Sequence, residues 1–581
     1  MGKSHKPRLL EVSNYLRGSR KSPSSVAGFA LFLISFALRC LIPANVQLNS
    51  PHDDLLSIQL SEAISRGHWL GAWNNRTLLK PFGYSLFVSF DHIFGLSPVI
   101  AICLIYLVLS WYLSNQLLLL SKLAGNRLKT HRNFAFGILA LNPNLFSSDM
   151  SRVYRSSLNV VSLMALTCVL IKVWDLYKST LPTRGNKNEL SALRNKLRGL
   201  FVLLGGSYFI AYDTRIESYW LLLPFACIAI LVFLKNIISH NVFSILKRGS
   251  RDRLFLVSSL WGILAFFIPL VLVESVNQNL YGAKIFDDYA HGEFPRSLNL
   301  WSSVINGKVS DISVYVSAGQ RKAVYEVSPA AKSLEAFLEV PPSQGWKTFY
   351  CQTGGNCNEF GSAWFPFALR DAATQAAHIT NEAQFQAFFK TLSDEIEIAC
   401  KSKRIMCGHE GSGTGIPYIG ELPARKIFSE IGRSLSYYYS PDQNYNFNLN
   451  NEHGDKQLID YWKMTASVNP LSKPKISAEW LAAYSYTYAW FVRCLTMLIL
   501  ITLVLNINGA RRESMLLLNV PLMGSLFLFS LGTAILSLSW GFPANLSFYD
   551  LPGFPIFLTI ILLNYFAAIS LIEKRLVRRK L

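Results

Sequence analysis

Two adjacent carboxylates, Asp53 and Asp54, stand directly after the first apolar run of the sequence, in Pro51-His52-Asp53-Asp54. Farther along the same loop comes Leu79-Lys80-Pro81-Phe82-Gly83-Tyr84. A carboxylate at a membrane surface can take the proton of an acceptor hydroxyl as it attacks an anomeric carbon. A lysine sheltered from bulk water can receive a departing phosphate. That pairing suits sugar transfer from a polyprenyl-phosphate donor. The plainer alternative is a helix cap, since Asp satisfies free N–H groups and favours the positive end of the helix dipole. Position after the first span and the downstream Lys-Pro-x-Gly-Tyr favour chemistry.

Positioning such a loop falls to apolar runs long enough to cross about 30 Å of hydrocarbon. The 581 residues are 51% hydrophobic and 16% charged. Ten spans are predicted, near 26–43, 98–120, 133–148, 157–176, 200–212, 219–236, 255–275, 488–507, 515–537 and 551–572. The third and fifth are short and adjoin polar residues, which predicts tilting, breaking or extension by flanking segments.

The net charge of +20 sits outside the stretch from Val276 to Tyr486, which holds 19 Lys and Arg against 21 Asp and Glu. Short connections carry the excess: Lys3 to Lys21, Lys122 to Arg132, Lys178 to Arg198, Lys247 to Arg253, Arg511 with Arg512, and Lys574 to Lys580. All fall on one side of the ten-span arrangement, the positive-inside pattern of a multipass protein with both termini cytoplasmic. A dispersed excess of this kind excludes a nucleic-acid footprint. The first run lacks a small-residue cleavage site and reads as a retained span.

Residues 1–275 therefore form an N-terminal transmembrane module with an outer loop 44–97. Residues 276–487 form an extracytoplasmic domain, mainly α or α+β, and residues 488–581 hold three more spans and a basic tail. In the outer domain Ser328-Pro329 predicts a helix start, with Ser as N-cap and Pro at the first position. Asn381 predicts another, with Phe385, Phe388, Phe389, Leu392, Ile396 and Ala399 at helical spacing. Residues 435–460 read as irregular. Cys351 with Cys357 and Cys400 with Cys407 suggest two local disulfides on the oxidising side, zinc being the rival reading. Cys40, Cys103, Cys168, Cys227 and Cys494 read as buried thiols in or beside spans.

The run HDDLLSIQLSEAISRGHWLGAWNNRTLLKPFGYSLF resembles the first outer loop of membrane glycosyltransferases with the C-type fold. That superfamily includes protein O-mannosyltransferases, aminoarabinose transferases and oligosaccharyltransferases. The resemblance covers roughly residues 50–90, and the span pattern to 275 agrees less specifically. It implies that Asp53 is the catalytic or metal-binding carboxylate, Asp54 its acidic partner, and Lys80 a contact to donor phosphate, with Tyr84 supporting. Phe82 departs from the pattern, standing where a Pro is common. The resemblance further implies an inverting transferase in a plasma membrane of bacterial type, with a carbohydrate, lipid or protein acceptor. In an endoplasmic reticulum Asn75-Arg76-Thr77 becomes a glycosylation sequon.

Other polar residues fall near the same face. Arg152, Arg155 and Arg215 can hold donor phosphate by bidentate contacts or anchor at the interface. Glu217 can orient Arg215 or be solvated. No cofactor is required by the sequence. A divalent metal stays open, since His52 and His68 can join Asp53, although scattered histidines are more often ordinary loop residues. Trp364 to Asp371, and Tyr437-Tyr438-Tyr439, can grip a saccharide or fill a core. Asp287, Asp288 and His291 are similarly ambiguous. Two rivals to an enzyme remain: a non-catalytic envelope-assembly or lipid-binding protein on the same scaffold, and a transporter, for which no paired broken spans or duplication appear.

Overall fold

Residues 23–47, 50–123, 127–178, 187–215, 218, 223–224, 226, 251–306, 313–341, 344–352, 354–408, 422–439, 458, 460–461, 476–510, 514–540 and 547–580 are described by the computed structural model. Among them the chain is helical, with two isolated bridges and no strand. Six helices are long and apolar enough to cross a membrane: Pro98–Ser121, Arg155–Lys178, Arg253–Tyr281, Ala478–Leu505, Met515–Ser539 and Leu551–Val577. Each coincides with an expected span. The first expected span is a shorter apolar helix, Val26–Cys40. The sixth, 219–236, falls mostly outside the described residues.

The third run departs from a single span. Its helix, Leu128–Ala140, stops before Asn142-Pro143 because proline disfavours the helical region for the residue ahead of it. Asn142 instead accepts from the Asn144 N–H and opens a tight turn, Pro143–Phe146. One further helical turn, Ser148–Ser151, is capped by Ser147. The fifth run lies within a longer helix, Lys187–Thr214. That helix packs against Arg251–Tyr281 so tightly that a Cβ at Gly205 would collide with the Gly262 carbonyl.

The outer domain folds on the caps read from sequence. Ser328 accepts from the Ala331 N–H to start Pro329–Leu338, and Asn381 accepts from the Gln384 N–H to start Glu382–Lys401. Phe385, Phe389, Leu392 and Ile396 join Phe294, Trp301 and Phe365 in its core. Both expected disulfides are present, Cys351–Cys357 and Cys400–Cys407, which removes the zinc reading. Cys103 and Cys168 are buried as expected, whereas Cys40 and Cys494 are exposed on outward helix faces, and Cys227 is outside the described residues. Residues 435–439 are not irregular but end the amphipathic helix Ala424–Tyr439. Helix formation there buries Tyr437 and Tyr438 in the core of the spans.

A separate apolar cluster joins loop to domain. Leu56, Leu60, Leu78, Leu79 and Phe82 of the first outer loop pack with Val273, Tyr281 and Phe286 where the helix Arg251–Tyr281 enters the outer domain. The loop therefore has a rigid backing.

Candidate active site

Asp53 occupies the N-cap position of the helix Asp54–Ser65, yet its side chain makes no capping hydrogen bond. Its carboxylate accepts instead from Lys80 Nζ. The carboxylate is therefore not spent on a helix cap, which would direct the oxygen at backbone N–H groups of the first turn. Burial lifts the Asp53 carboxyl, but Lys80 and Arg152 outweigh it and hold the group well below the ordinary carboxylate range. Asp53 is ionised.

Asp54 is built differently. Its side chain is 0% exposed, against 37% for Asp53. Arg152 Nε and Nη2 reach Asp54 Oδ1 at 3.0 and 2.7 Å, and the Gln47 N–H donates to Oδ2 at 2.8 Å. Burial pushes the Asp54 carboxyl up, and the Arg152 fork opposes it with the geometry of an ionised pair. A short parallel bridge delivers Arg152: the Asn45 N–H donates to Ser151 O at 2.8 Å, and the Val153 N–H to Asn45 O at 2.7 Å. Beneath it the fully buried Arg39 donates from Nη1 to Ser151 Oγ at 2.8 Å and Leu145 O at 3.3 Å. Arg39 went unremarked in the sequence reading. A charge inside the first apolar run was its available signal.

Lys80 returns to Asp53 because the intervening loop is pinned at several points. Trp69 Nε1 donates to Asn277 Oδ1 at 3.0 Å, and Tyr281 Oη to Gly71 O at 3.0 Å. The Asp288 N–H donates to Leu78 O at 2.9 Å, while Arg370 donates to Asn75 O and pairs with Asp288 through two contacts of 2.7 Å. Trp73 Nε1 donates to Glu382 Oε2 at 2.9 Å. Of the ambiguous residues here, Asp288 thus belongs to the latch between loop and outer domain, whereas Asp287 and His291 pair with each other at 2.8 Å and His291 meets Tyr212 at 3.2 Å. Gly83 has a specific need: a Cβ there would lie 2.6 Å from Asp213 Oδ2. That contact seats the connection carrying Arg215 against the start of the helix Gly83–Phe94.

Around Asp53 the remaining cations gather on two tyrosine rings. Lys80 Nζ, Arg152 Cζ and Arg155 Cζ lie 5.6, 4.9 and 5.8 Å from the Tyr154 centroid. Arg215 Cζ lies 4.3 Å from the centroid of Tyr549, in the last outer segment, and Nη1 donates to Ser156 Oγ at 3.2 Å. Asp53, Arg155 and Arg215 all act electrostatically on Tyr549. Asp53, Asp54, Lys80, Arg152, Arg155 and Arg215 are thus brought together from four separate segments. Tyr154 and Tyr549 were not singled out by sequence, and nothing in their spacing links them.

Tyr84 is buried facing Asp54 and Ser157, and burial holds its phenol well above the usual range, as a neutral hydroxyl. His52 stacks on Phe367 of the outer domain, centroids 4.1 Å apart, and burial followed by Arg76 and Lys80 lowers it to about 3. His68 is exposed in the turn after the helix. Among the described residues no three His, Cys, Asp or Glu side chains form a metal-ligating group, and the groups beside Asp53 are cations suited to an anion. Glu217 lies outside the described residues.

Comparison with protein-family models, with curated proteins and with solved structures finds no match to this chain.

Proposed function

We propose that the chain is a ten-span membrane glycosyltransferase of the C-type kind that moves a sugar from a polyprenyl-phosphate donor to an extracytoplasmic acceptor, with inversion. The reading places both termini in the cytoplasm on the charge pattern of its connections, and the protein in a plasma membrane on the resemblance of its first outer loop. The observation that carries it is the partly exposed Asp53 carboxylate facing Lys80, Arg152 and Arg155, with Arg215 on the neighbouring Tyr549 ring. Four cations against Asp53 and Asp54 leave a positive surplus, the complement of a phosphate ester.

The chemistry follows from that surplus. The acceptor hydroxyl oxygen bonds to the anomeric carbon as the bond from that carbon to the donor phosphate oxygen breaks, and Asp53 takes the hydroxyl proton. Prenyl phosphate leaves with the electron pair of the broken bond, onto the cations. While Lys80 pairs with Asp53 the carboxylate is a weak base. A donor phosphate that draws Lys80 away removes the largest opposing charge and raises the basicity of Asp53 when it is needed. Asp54 fixes Arg152 and is a positioning residue.

The test is transfer of radiolabelled sugar from prenyl-phosphate donors into membrane fractions. Asp53→Asn is expected to lower the rate about 10²–10⁴-fold with normal membrane insertion. Undiminished transfer by that variant would remove the mechanism. Absence of transfer across donors, with prenyl phosphate still bound, would favour the non-catalytic lipid-binding alternative.

A further inference from the structure

Residues 364–367 divide in the structure. Phe365 is 0% exposed in the outer-domain core with Phe294, Trp301 and Phe385, while Trp364 and Phe367 are partly exposed. The two partly exposed rings belong to a continuous strip. His52 stacks on Phe367 at 4.1 Å and meets Trp346 at 4.9 Å; Trp346 stacks with Trp364 at 5.8 Å; Trp364 stacks with Phe349 at 4.9 Å. Exposure rises along it, from 6% at His52, the neighbour of Asp53, to 47% at Phe349.

We propose that this strip, from His52 to Phe349, is a binding platform for a saccharide, and that on the glycosyl-transfer reading it seats the acceptor. A pyranose has an apolar C–H face and a rim of hydroxyls, so it is matched by flat rings with polar groups at their edge. The strip has that edge: Trp346 Nε1 donates to Asp371 Oδ2 at 2.9 Å and Asn75 Nδ2 to Asp371 Oδ1 at 2.5 Å. At its inner end both His52 ring nitrogens are buried without a hydrogen-bond partner among the described residues, beside the reacting carboxylate. An acyl chain gains nothing from the Asp371 edge. The disulfide Cys351–Cys357 ties the helix bearing Phe349, Lys347–Gln352, to the stretch that leads to Trp364, so the rings are held in place before a ligand arrives.

The experiment applies the purified full-length protein, in detergent, to an array of immobilised oligosaccharides, with phospholipid vesicles and unglycosylated peptides as parallel arms. The strongest saccharide is then titrated by tryptophan fluorescence. At least one saccharide is expected to be retained. Trp364→Ala and Phe349→Ala should each weaken it about tenfold, and Trp364→Tyr should restore most of the loss. Phe349 is exposed enough that its variant folds even if Trp364→Ala does not. Retention of no saccharide, indifference of binding to both alanine variants, or variant-sensitive binding of vesicles or peptides instead would each overturn the platform. Saccharide binding without any transfer from prenyl-phosphate donors would leave the platform standing and defeat the catalytic reading. Transfer that needs Asp53, with array binding absent, would do the reverse.

Discussion

Neutralising each member of the Asp pair in turn should separate stability from activity. Asp54 is 0% exposed and Arg152 13%, joined by contacts of 2.7–3.1 Å. Asp54→Asn leaves that guanidinium buried without its counter-charge, a loss of about 3–5 kcal/mol. Asp53 is 37% exposed, and its pair with Lys80 is worth about 0–1 kcal/mol. If unfolding entropy scales with the 581 residues, the first loss lowers the melting temperature by about 2–4 °C and the second by less than about 1 °C. Differential scanning fluorimetry of the variants in one detergent reads both. Replacing both partners, Asp54→Leu with Arg152→Met, should recover most of the stability, since an apolar pair carries no desolvation cost. In the transfer assay the order reverses, with Asp53→Asn stable and slowed about 10²–10⁴-fold. An Asp54→Asn protein that melts with the wild type, or an Asp53→Asn protein that melts lower than the Asp54→Asn one, would refute these roles.

Two further outcomes follow from the loop and its backing. The folded-state value of His52, about 3, lies below the ordinary 6.5, so its neutral form supports the fold fully above pH 6.5 and that support is lost as pH falls from 6.5 toward 3. His52→Phe, which keeps the stack on Phe367, should therefore melt with a flatter pH dependence than wild type across that window; parallel curves would contradict the assignment. Gly83→Ala forces its Cβ to within 2.6 Å of Asp213 Oδ2 and 3.2 Å of Asp213 O, costing about 1–3 kcal/mol and displacing the connection that carries Arg215. Both melting temperature and transfer should drop, and wild-type values for both would show that the approach of Asp213 is not needed.

Local signals were legible wherever one segment's chemistry was sufficient. Ser328-Pro329 and Asn381 start their helices because a side-chain oxygen satisfies the free N–H groups of the first turn within the same few residues. The cysteine pairs lie 6 and 7 residues apart and close as expected. The break in the third run was foreshadowed by its length, but its form, a turn at Asn142-Pro143 followed by a single helical turn, serves a partner far away in sequence: it presents Ser151 and Arg152 to Asn45 and Asp54.

Asp53 and Asp54 look alike in the sequence, and nothing local distinguishes them. Their difference comes from what packs beside each: a flexible lysine carried by the far end of the loop for one, a planar guanidinium brought by the Asn45 bridge for the other. The same holds for the aromatics, since Phe365 and Phe367 share a segment but one fills the core and the other meets His52. By itself the sequence determined the apolar helices, the caps, the disulfides and the loop that holds the carboxylates, because each depends on neighbours along the chain. Tertiary structure alone decided which carboxylate is buried, which cations face the other, and where Tyr154 and Tyr549 enter, because charge and burial depend on neighbours in space.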